Sequence, residues 1–327
     1  MKRRAFISLL GAASITPLVA RAQQPRPMRR IGVLTSSDAS DREAQAQIAA
    51  FREELGKLGW AEGRNVALDI RWTSADVAVM TRSATELAAL APDLILTSST
   101  LATATMLQHT RTIPIIFVLV ADPVGGHFVD SLPRPGGNAT GFTPIVGSLG
   151  GKWVELLKEF APRVGRITMI FNPPSATFID AFLGPFRAAA ASLGVEAKAA
   201  PVNDMREVET LMSAGEANGG LVVMPDAFTV THRAEIMQLA DRYRIPAVSW
   251  SRSFAELGCL ISYGPVLADE YRRAAAYADR ILKGEKPSEL PVQTPVKFEL
   301  VINMKTARSL GMTVPDRLRT VADDVIE

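Results

Sequence analysis

The sequence predicts an α/β protein of two similar lobes, each built on a parallel sheet. The chain has 327 residues, which is long for one hydrophobic core and suits two. A pattern of apolar strand, polar turn and helix also occurs twice, at residues 94–107 and again at residues 219–242. Each copy ends in a short strand that an Ile-Pro pair opens, at residues 113–117 and 245–250. Two matching units indicate two lobes whose strand ends face each other across a cleft.

The first lobe begins with a predicted strand at residues 30–37 and a helix at residues 41–58, where apolar residues recur at helical spacing. Gly59 ends this helix, because glycine tolerates the left-handed conformation that a helix end requires. The elements that follow are a strand at 66–72, a helix at 77–90, the strand at 94–96, a helix that extends to 108 and a strand at 113–120.

The pair Asp122-Pro123 follows this last strand and is a helix-start signal, with Asp122 as the N-cap. Asp122 also lies at the carboxyl end of a strand, where open α/β sheets bind ligands, so a place in the binding site is the alternative. Residues 133–137 form a turn-rich break, and we expect the first crossing to the second lobe near Gly141.

The second lobe is expected to open with a helix at residues 152–160 and to alternate in the same way. Its strands are predicted at 167–171, 195–200, 219–224 and 245–250, and its helices at 178–193, 205–214 and 231–242. The chain then returns at 262–264 to a helix at 269–282, crosses again at 290–299 and ends in a helix at 300–310. We expect lobe 1 to comprise residues 23–141 and 264–290, and lobe 2 to comprise residues 142–263 and 291–327.

Residues 1–22 have the features of a signal peptide: a basic start, an apolar run at residues 5–16 and a small-x-small site that ends at Ala22. The run is too short for a membrane anchor and Pro17 follows it. Residues 3–7, Arg-Arg-Ala-Phe-Ile, resemble the twin-arginine export signal. Cleavage before Gln23 removes four basic residues, so the mature chain loses the main electrostatic argument for a nucleic-acid partner. We therefore expect a periplasmic protein that binds no nucleic acid.

The composition predicts no metal centre, no cofactor and no catalytic residues. The single cysteine, Cys259, excludes an internal disulfide and lies in an apolar stretch typical of an inert core. The three histidines are scattered, and none has the spacing of a metal ligand. No Gly-x-Gly-x-x-Gly follows a strand, and neither a phosphate-binding Gly-x-x-x-x-Gly-Lys-Ser/Thr loop nor a Gly-x-Ser-x-Gly nucleophile elbow occurs.

Hydroxyl side chains collect at the ends of two predicted strands of lobe 1. Ser36 and Ser37 end the first strand, and Ser98, Ser99 and Thr100 follow the strand at residues 94–96. Such a turn before a helix presents hydroxyl groups and free backbone N–H groups to an anion. The alternative is an N-cap, which uses only one hydroxyl. With three in a row, the sequence fits an anion site about as well as a simple N-cap.

Six short motifs occur in a fixed order along the mature chain. They are Ile-Gly-Val-Leu at 31–34, Phe-Arg-Glu-Glu-Leu-Gly at 51–56 with Gly-Trp and Glu-Gly at 59–63, Pro-Asp-Leu-Ile at 92–95, Ala-Asp-Pro-Val-Gly at 121–125, Pro-Gly-Gly-Asn-Ala-Thr-Gly at 135–141 and Gly-Glu-Lys-Pro at 284–287. Through this ordered set and its export signal, the whole mature chain resembles the ABC transporter substrate-binding proteins of the tryptophan/tyrosine-binder type.

This resemblance implies the type I periplasmic-binding-protein architecture, with two Rossmann-like lobes and three interlobe crossings. It also implies a monomer that traps a small organic solute, an amino acid or related carboxylate, between its lobes. The solute is then delivered to an ABC permease at the inner membrane.

The resemblance further implies roles for particular residues. Hydroxyl and N–H groups of lobe 1 would hold the ligand carboxylate, and Asp226 of lobe 2 would hold its ammonium. The alternative for Asp226 is a helix N-cap, because Thr229 follows it closely. Asn172 and Tyr263 are expected to line the cleft. The complete predicted site is Ser36, Ser37, Ser98, Ser99, Thr100, Asp122, Asn172, Asp226 and Tyr263.

Three other functions were considered. A sugar-responsive transcription regulator would need a helix-turn-helix module before the lobes, where the signal peptide stands. An exported enzyme acting on a small carboxylate could use Asp122 and Asp226 as a facing acid/base pair, although two carboxylates also suit a binding pocket. A ligand sensor for a membrane receptor would use the same lobes without a permease and stays open at this point.

Overall fold

The structure is a computed structural model that describes residues 28–214 and 219–327. The predicted signal peptide, residues 1–22, lies outside the described residues. The first sheet has five parallel strands in the order β2-β1-β3-β4-β5. Its strands are β1 (Arg29–Thr35), β2 (Val66–Trp72), β3 (Leu94–Ser98), β4 (Ile115–Val118) and β5 (Ala139–Gly141), and the helices between them are α1 (Arg42–Lys57), α2 (Val77–Ala89) and α3 (Thr100–His109).

The second sheet has seven strands in the order β12-β11-β10-β9-β8-β6-β7, and only the β10–β11 pair is antiparallel. Its strands are β6 (Arg166–Phe171), β7 (Glu196–Pro201), β8 (Gly219–Val223), β9 (Ala247–Ser249), β10 (Ile261–Pro265), β11 (Phe298–Asn303) and β12 (Asp324–Ile326). The helices of the second half are α4 (Leu149–Phe160), α5 (Asp180–Ser192), α6 (Met205–Ser213), α7 (Ala227–Thr231), α8 (Arg233–Arg242), α9 (Arg252–Glu256), α10 (Leu267–Leu282), α11 (Met304–Ser309) and α12 (Asp316–Val321), with a short 3-10 turn at Pro287–Glu289.

Burial explains why these sequences form covered parallel sheets. Every residue of β3 is buried, as expected of a strand with helices on both faces. Asp41 caps α1 by accepting hydrogen bonds from the backbone N–H groups of Glu43 and Ala44. No helix within the described ranges is both long and apolar enough to cross a lipid bilayer.

The chain passes between the lobes three times: after β5, after β10 and before β11. The second passage returns α10 to lobe 1, where Tyr271 and Ala274 pack in one cluster with Phe51 of α1. The third passage brings Leu300 into the lobe 2 core. The prediction of two α/β lobes dominated by parallel sheets is thus confirmed. The exact limits, residues 23–141 and 264–290 for lobe 1 and 142–263 and 291–327 for lobe 2, stay a proposal.

The predicted last helix at residues 300–310 was wrong in its first half. Residues 298–303 form β11, which pairs with β10, and the helix begins only at Met304. The short apolar run that ends at Ile302 fits either a strand or a buried helix, and pairing with β10 decides in favour of the strand. Asn303 then caps α11 by accepting a hydrogen bond from the Thr306 N–H.

The predicted helix after Asp122 was also wrong, because residues 123–127 form turns. The Asp122 carboxylate accepts a hydrogen bond from the Gly125 N–H at 2.8 Å, as an N-cap would, and its carbonyl accepts from the Gly126 N–H at 3.0 Å, but no regular helix follows this single turn. Gly125 and Gly126 follow directly, and glycine disfavours a helix by about 1 kcal/mol per residue.

Candidate functional site

The carboxyl edge of the first sheet brings Ser36 and Ser99 together. Ser36 follows β1 and Ser99 follows β3, and their hydroxyl oxygens lie 2.5 Å apart. Ser99 is also the N-cap of α3, since its Oγ accepts a hydrogen bond from the Ala102 N–H at 3.1 Å. Ser37 lies beside them and is half-buried. The N-cap and the hydroxyl cluster are therefore both present: the Ser99 hydroxyl caps α3, and the Ser36 hydroxyl lies against it.

The same edge carries backbone strain. Ser99 has a φ of +116° and Leu119, the first residue after β4, has a φ of +57°. The Ser99 N–H donates to the Val118 carbonyl at 3.1 Å, so these two strained positions are neighbours. Non-glycine residues in such conformations cost about 1–3 kcal/mol each and are concentrated at functional sites.

The hydroxyl group of Ser98 does not lie at this edge. Its side chain is buried, and its Oγ lies 2.6 Å from the Tyr271 hydroxyl inside lobe 1. Ser98 is the last residue of β3, whereas Ser99 is the N-cap of α3 with a φ of +116°, so the backbone turns between them and the two hydroxyl groups have different partners. Ser98 is therefore removed from the candidate ligand contacts, because its hydroxyl joins β3 to α10.

Thr100 and Asp122 lie at the exposed rim of this edge. The Thr100 hydroxyl accepts a hydrogen bond from the Ala121 N–H at 3.4 Å, which ties the first turn of α3 to the loop after β4. Asp122 follows in that loop and is exposed, with its carboxylate held by the turn at Gly125. Both side chains flank the Ser36–Ser99 pair without a direct bond to it.

Asp226 is buried at the carboxyl end of β8 in the second lobe. Its carboxylate accepts hydrogen bonds from the Thr229 N–H at 2.9 Å, the Asn172 N–H at 3.0 Å and the Ser175 hydroxyl at 3.1 Å. Burial raises the pKa of Asp226, and the hydrogen bonds oppose that shift. The N-cap interpretation is thus the one whose contacts are present: Asp226 caps α7 and ties it to the loop after β6.

Asn172 is committed to the same loop. Its amide donates to the Val202 carbonyl at 2.9 Å, and its side-chain oxygen accepts from the Ser175 hydroxyl at 3.0 Å. Both ends of this buried side chain therefore have partners within lobe 2. Asn172 shapes the wall that Asp226 belongs to.

Tyr263 faces away from the two sheet edges. Its ring stacks against Phe298 with 6.0 Å between the ring centroids and lines a groove of about 650 Å³ between α4 and α5. The Tyr263 carbonyl accepts a hydrogen bond from the Trp153 indole at 2.7 Å. These contacts place the Tyr263 ring against the groove between α4 and α5, and its place in the cleft between the lobes stays a prediction.

A contact between the lobes was missed at the sequence level. Arg233 of α8 forms an ion pair with Asp41, the cap of α1, at 3.2 Å between Nη2 and Oδ2. Beside it the Glu43 side chain bonds Ser253 of α9, and burial raises the pKa of Glu43. In sequence, Asp41 and Glu43 look only like the acidic start of a helix. Their partners lie about two hundred residues away, and no local signal points to them.

The cysteine lies in the core of lobe 2, away from this edge. Cys259 is buried, and burial raises the pKa of its thiol to about 12, so the thiol stays protonated. Within residues 28–214 and 219–327, no three His, Cys, Asp or Glu side chains gather in a way that could hold a metal ion.

Known proteins resemble this chain over most of its length. A tyrosine-binding protein of Clostridioides difficile is 25% identical over 263 residues, which cover 80% of this chain and 75% of that protein. A conserved domain protein of Vibrio cholerae has a TM-score of 0.81 at 25% identity, over 91% of this chain and 99% of that one. An ABC domain of Streptococcus pneumoniae in complex with L-Trp has a TM-score of 0.80 at 23% identity, over 91% and 100%, and shows the fold alone.

The sequence model of one family matches residues 31–326, nearly the whole described chain. Its description is ABC transporter substrate binding protein. Proteins of this kind bind a solute and are not enzymes, which excludes the acid/base interpretation of Asp122 and Asp226. With nearly all of both sheets and all three crossings inside the matched range, this chain belongs to the ABC transporter substrate-binding protein family.

Proposed function

We propose that this protein captures an α-amino acid between its two lobes and delivers it to the permease of an ABC importer. The observation that carries the proposal is the pair of hydroxyl groups, Ser36 and Ser99, at the N-terminus of α3 on the edge of lobe 1. Family membership and the names of the relatives, a tyrosine-binding protein and a domain in complex with L-Trp, support it.

The α3 N-terminus suits a carboxylate for two physical reasons. The first N–H groups of a helix have no partner within the helix, and the helix dipole places partial positive charge there. Ser36 and Ser99 add hydroxyl donors that can turn toward an anion, while Ser37 and Thr100 flank them. We propose these four residues as the carboxylate subsite, with Asn172 and Asp226 shaping the opposite wall and Asp122 at the rim.

Contact between the lobes supports a closed, solute-loaded state. The Arg233–Asp41 ion pair joins α8 to the start of α1, so it breaks when the lobes separate. A solute that contacts both lobes gains most of its binding energy in the closed state and therefore shifts the population toward it. In this proposal a permease at the inner membrane recognises the closed form of a periplasmic monomer, which the signal peptide at residues 1–22 directs to the export machinery.

A thermal-shift screen of residues 23–327 tests the proposed solute class. A ligand that binds only the folded protein raises its melting temperature. We expect aromatic amino acids to raise it, and sugars and nucleobases to leave it unchanged. A rise with sugars or nucleobases and none with any amino acid would contradict the proposal.

Substituting Ser99→Ala is expected to weaken amino-acid binding up to about tenfold, because one hydroxyl and the partner of Ser36 are lost while the backbone N–H groups of α3 remain. Isothermal titration with L-tryptophan and L-tyrosine measures the change. Ser192→Ala, at an exposed position on α5, is the matched control and should bind as the unaltered protein does. Equal affinities for the two variants would remove Ser99 from the site.

A further inference from the structure

The Glu270 carboxylate is buried without a partner. Glu270 is the fourth residue of α10, just after the chain returns from β10 to lobe 1, and is 2% exposed. Neither of its oxygens has a hydrogen-bond partner within the described residues, 28–214 and 219–327. Buried polar side chains nearly always have partners, so an unpaired carboxylate requires an explanation.

Glu270 lies at the same sheet edge as the hydroxyl pair. The Leu119 N–H faces the carboxylate, although it does not reach it with hydrogen-bond geometry. Leu119 directly follows Val118, whose carbonyl accepts the Ser99 N–H at 3.1 Å. The next residue of α10, Tyr271, bonds the hydroxyl of Ser98. Glu270 is thus anchored beside the two strained positions, Ser99 and Leu119.

The cations close to Glu270 are engaged elsewhere. The Arg273 guanidinium donates to the Thr294 carbonyl at 3.0 Å and to the Gln293 side chain, and it lies 5.0 Å above the Phe142 ring. Lys297 forms an ion pair with the adjacent Asp269 at 2.8 Å. Arg273 therefore acts on Glu270 only through its charge, without a direct ion pair.

Two other buried polar atoms in this part of the chain also lack partners. They are the Trp250 indole nitrogen, just after β9, and the Ser262 hydroxyl on β10. Together with Glu270 they fall in the stretch that runs from the edge of lobe 2 through the second crossing into α10. Unsatisfied donors and acceptors in one stretch are what a polar ligand would satisfy.

Asp226, unlike Glu270, has hydrogen-bond partners for its carboxylate. It accepts three hydrogen bonds from groups of its own lobe. In addition, the ammonium and carboxylate of an α-amino acid are attached to one carbon atom, so their protein partners must be neighbours. Glu270 and the Ser36–Ser99 pair share one edge of lobe 1, whereas Asp226 belongs to the other lobe.

We propose that Glu270 binds the ammonium group of the amino acid whose carboxylate lies at Ser36, Ser99 and the N-terminus of α3. This inference rests on the proposed function and deepens it: lobe 1 and the second crossing hold both charged groups of the ligand. The ligand side chain then extends toward lobe 2, where Trp250 follows β9.

Paired ligands test the role of Glu270. L-tryptophan and L-tyrosine are compared with 3-indolepropionate and 3-(4-hydroxyphenyl)propionate, which lack only the ammonium, by isothermal titration. We expect Glu270→Gln, which is nearly isosteric, to weaken binding of the amino acids about a hundredfold and to leave binding of the propionates unchanged or tighter. Asp269→Asn, one residue earlier on the same helix, is the matched control and should keep the preference for the amino acids.

The outcomes separate the two proposals. If the unaltered protein binds the amino acids and Glu270→Gln binds them equally well, the role of Glu270 is refuted and the proposed function stands. If the unaltered protein binds no amino acid, the proposed function fails and the role of Glu270 fails with it.

Proton release provides a second measurement on the unaltered protein, which does not depend on how the variant folds. Burial raises the pKa of Glu270 to about 8, so the protonated form predominates at pH 7. An incoming ammonium favours the ionised form, so binding should release a proton at pH 7, and affinity should rise as the pH approaches 8.

Titrations in buffers of different ionisation enthalpy measure this proton. Other groups face the same region: Asp269, Tyr271 and Arg273 on α10, and from α1 the half-buried Glu43, which acts on Tyr271. Glu43→Gln should therefore leave the release unchanged, whereas Glu270→Gln should abolish it. A proton release that Glu270→Gln leaves unchanged would overturn the proposal.

Discussion

Replacing Asp226 by alanine is expected to reduce the free energy of unfolding by about 2–4 kcal/mol. The substitution leaves the buried N–H groups of Asn172 and Thr229 without their acceptor, whereas the Ser175 hydroxyl can still donate to the Asn172 side-chain oxygen. It also removes the cap of α7 and the link between this helix and the loop after β6. Urea denaturation of the protein without ligand measures the loss.

Asp76→Ala is the matched control for this prediction. Asp76 is exposed and caps α2 through one hydrogen bond, from the Val79 N–H at 2.9 Å. Its replacement should reduce the free energy of unfolding by only about 1 kcal/mol. An Asp226→Ala variant as stable as this control, but unable to bind amino acids, would mean that Asp226 is a ligand contact and that Glu270 is not the principal anion.

Replacing Gly264 by alanine is expected to reduce the free energy of unfolding by about 3 kcal/mol or more. A Cβ atom at Gly264 would lie 1.8 Å from the Trp250 carbonyl oxygen and 2.8 Å from its carbon. These are backbone atoms at the end of β9, which cannot turn aside as a side chain can. Residue 264 stands on β10 at the second crossing, so the variant must separate β9 from β10 where the chain leaves lobe 2.

Gly56→Ala is the matched control in this case. Gly56 lies within α1, and an added Cβ would meet no atom of another element within 4 Å. Alanine favours a helix over glycine by about 1 kcal/mol, so this variant should be as stable as the unaltered protein or more stable. Guanidinium denaturation of both variants measures the contrast, and an unchanged Gly264→Ala variant would show that the crossing can adjust.

Local signals were sufficient for most of the fold. The apolar run of β3 between Pro92 and a hydroxyl turn predicts a buried strand, and the two Ile-Pro pairs predict the repeat of the unit in the second lobe. The failure at β11 has a physical cause. The run that ends at Ile302 is too short to have a clear period, and pairing with β10, forty residues earlier, makes it a strand.

Only part of the candidate site could be predicted from the sequence. Ser98 is the last residue of β3 and Ser99 is the N-cap of α3, and the N-cap was a pattern visible in the sequence. Glu270 could not be found in this way. In sequence it is one acid near the start of an amphipathic helix, and only the return of α10 against β4 removes it from water. The Asp41–Arg233 contact is equally non-local.

A crystal structure of residues 23–327 with bound L-tryptophan or L-tyrosine tests the central claim most directly. We expect the amino acid between the lobes, its carboxylate within hydrogen-bond distance of Ser36, Ser99 and the first N–H groups of α3, and its ammonium against Glu270. An amino acid bound in the groove between α4 and α5, or anywhere outside the interface of the two sheet edges, would contradict the account.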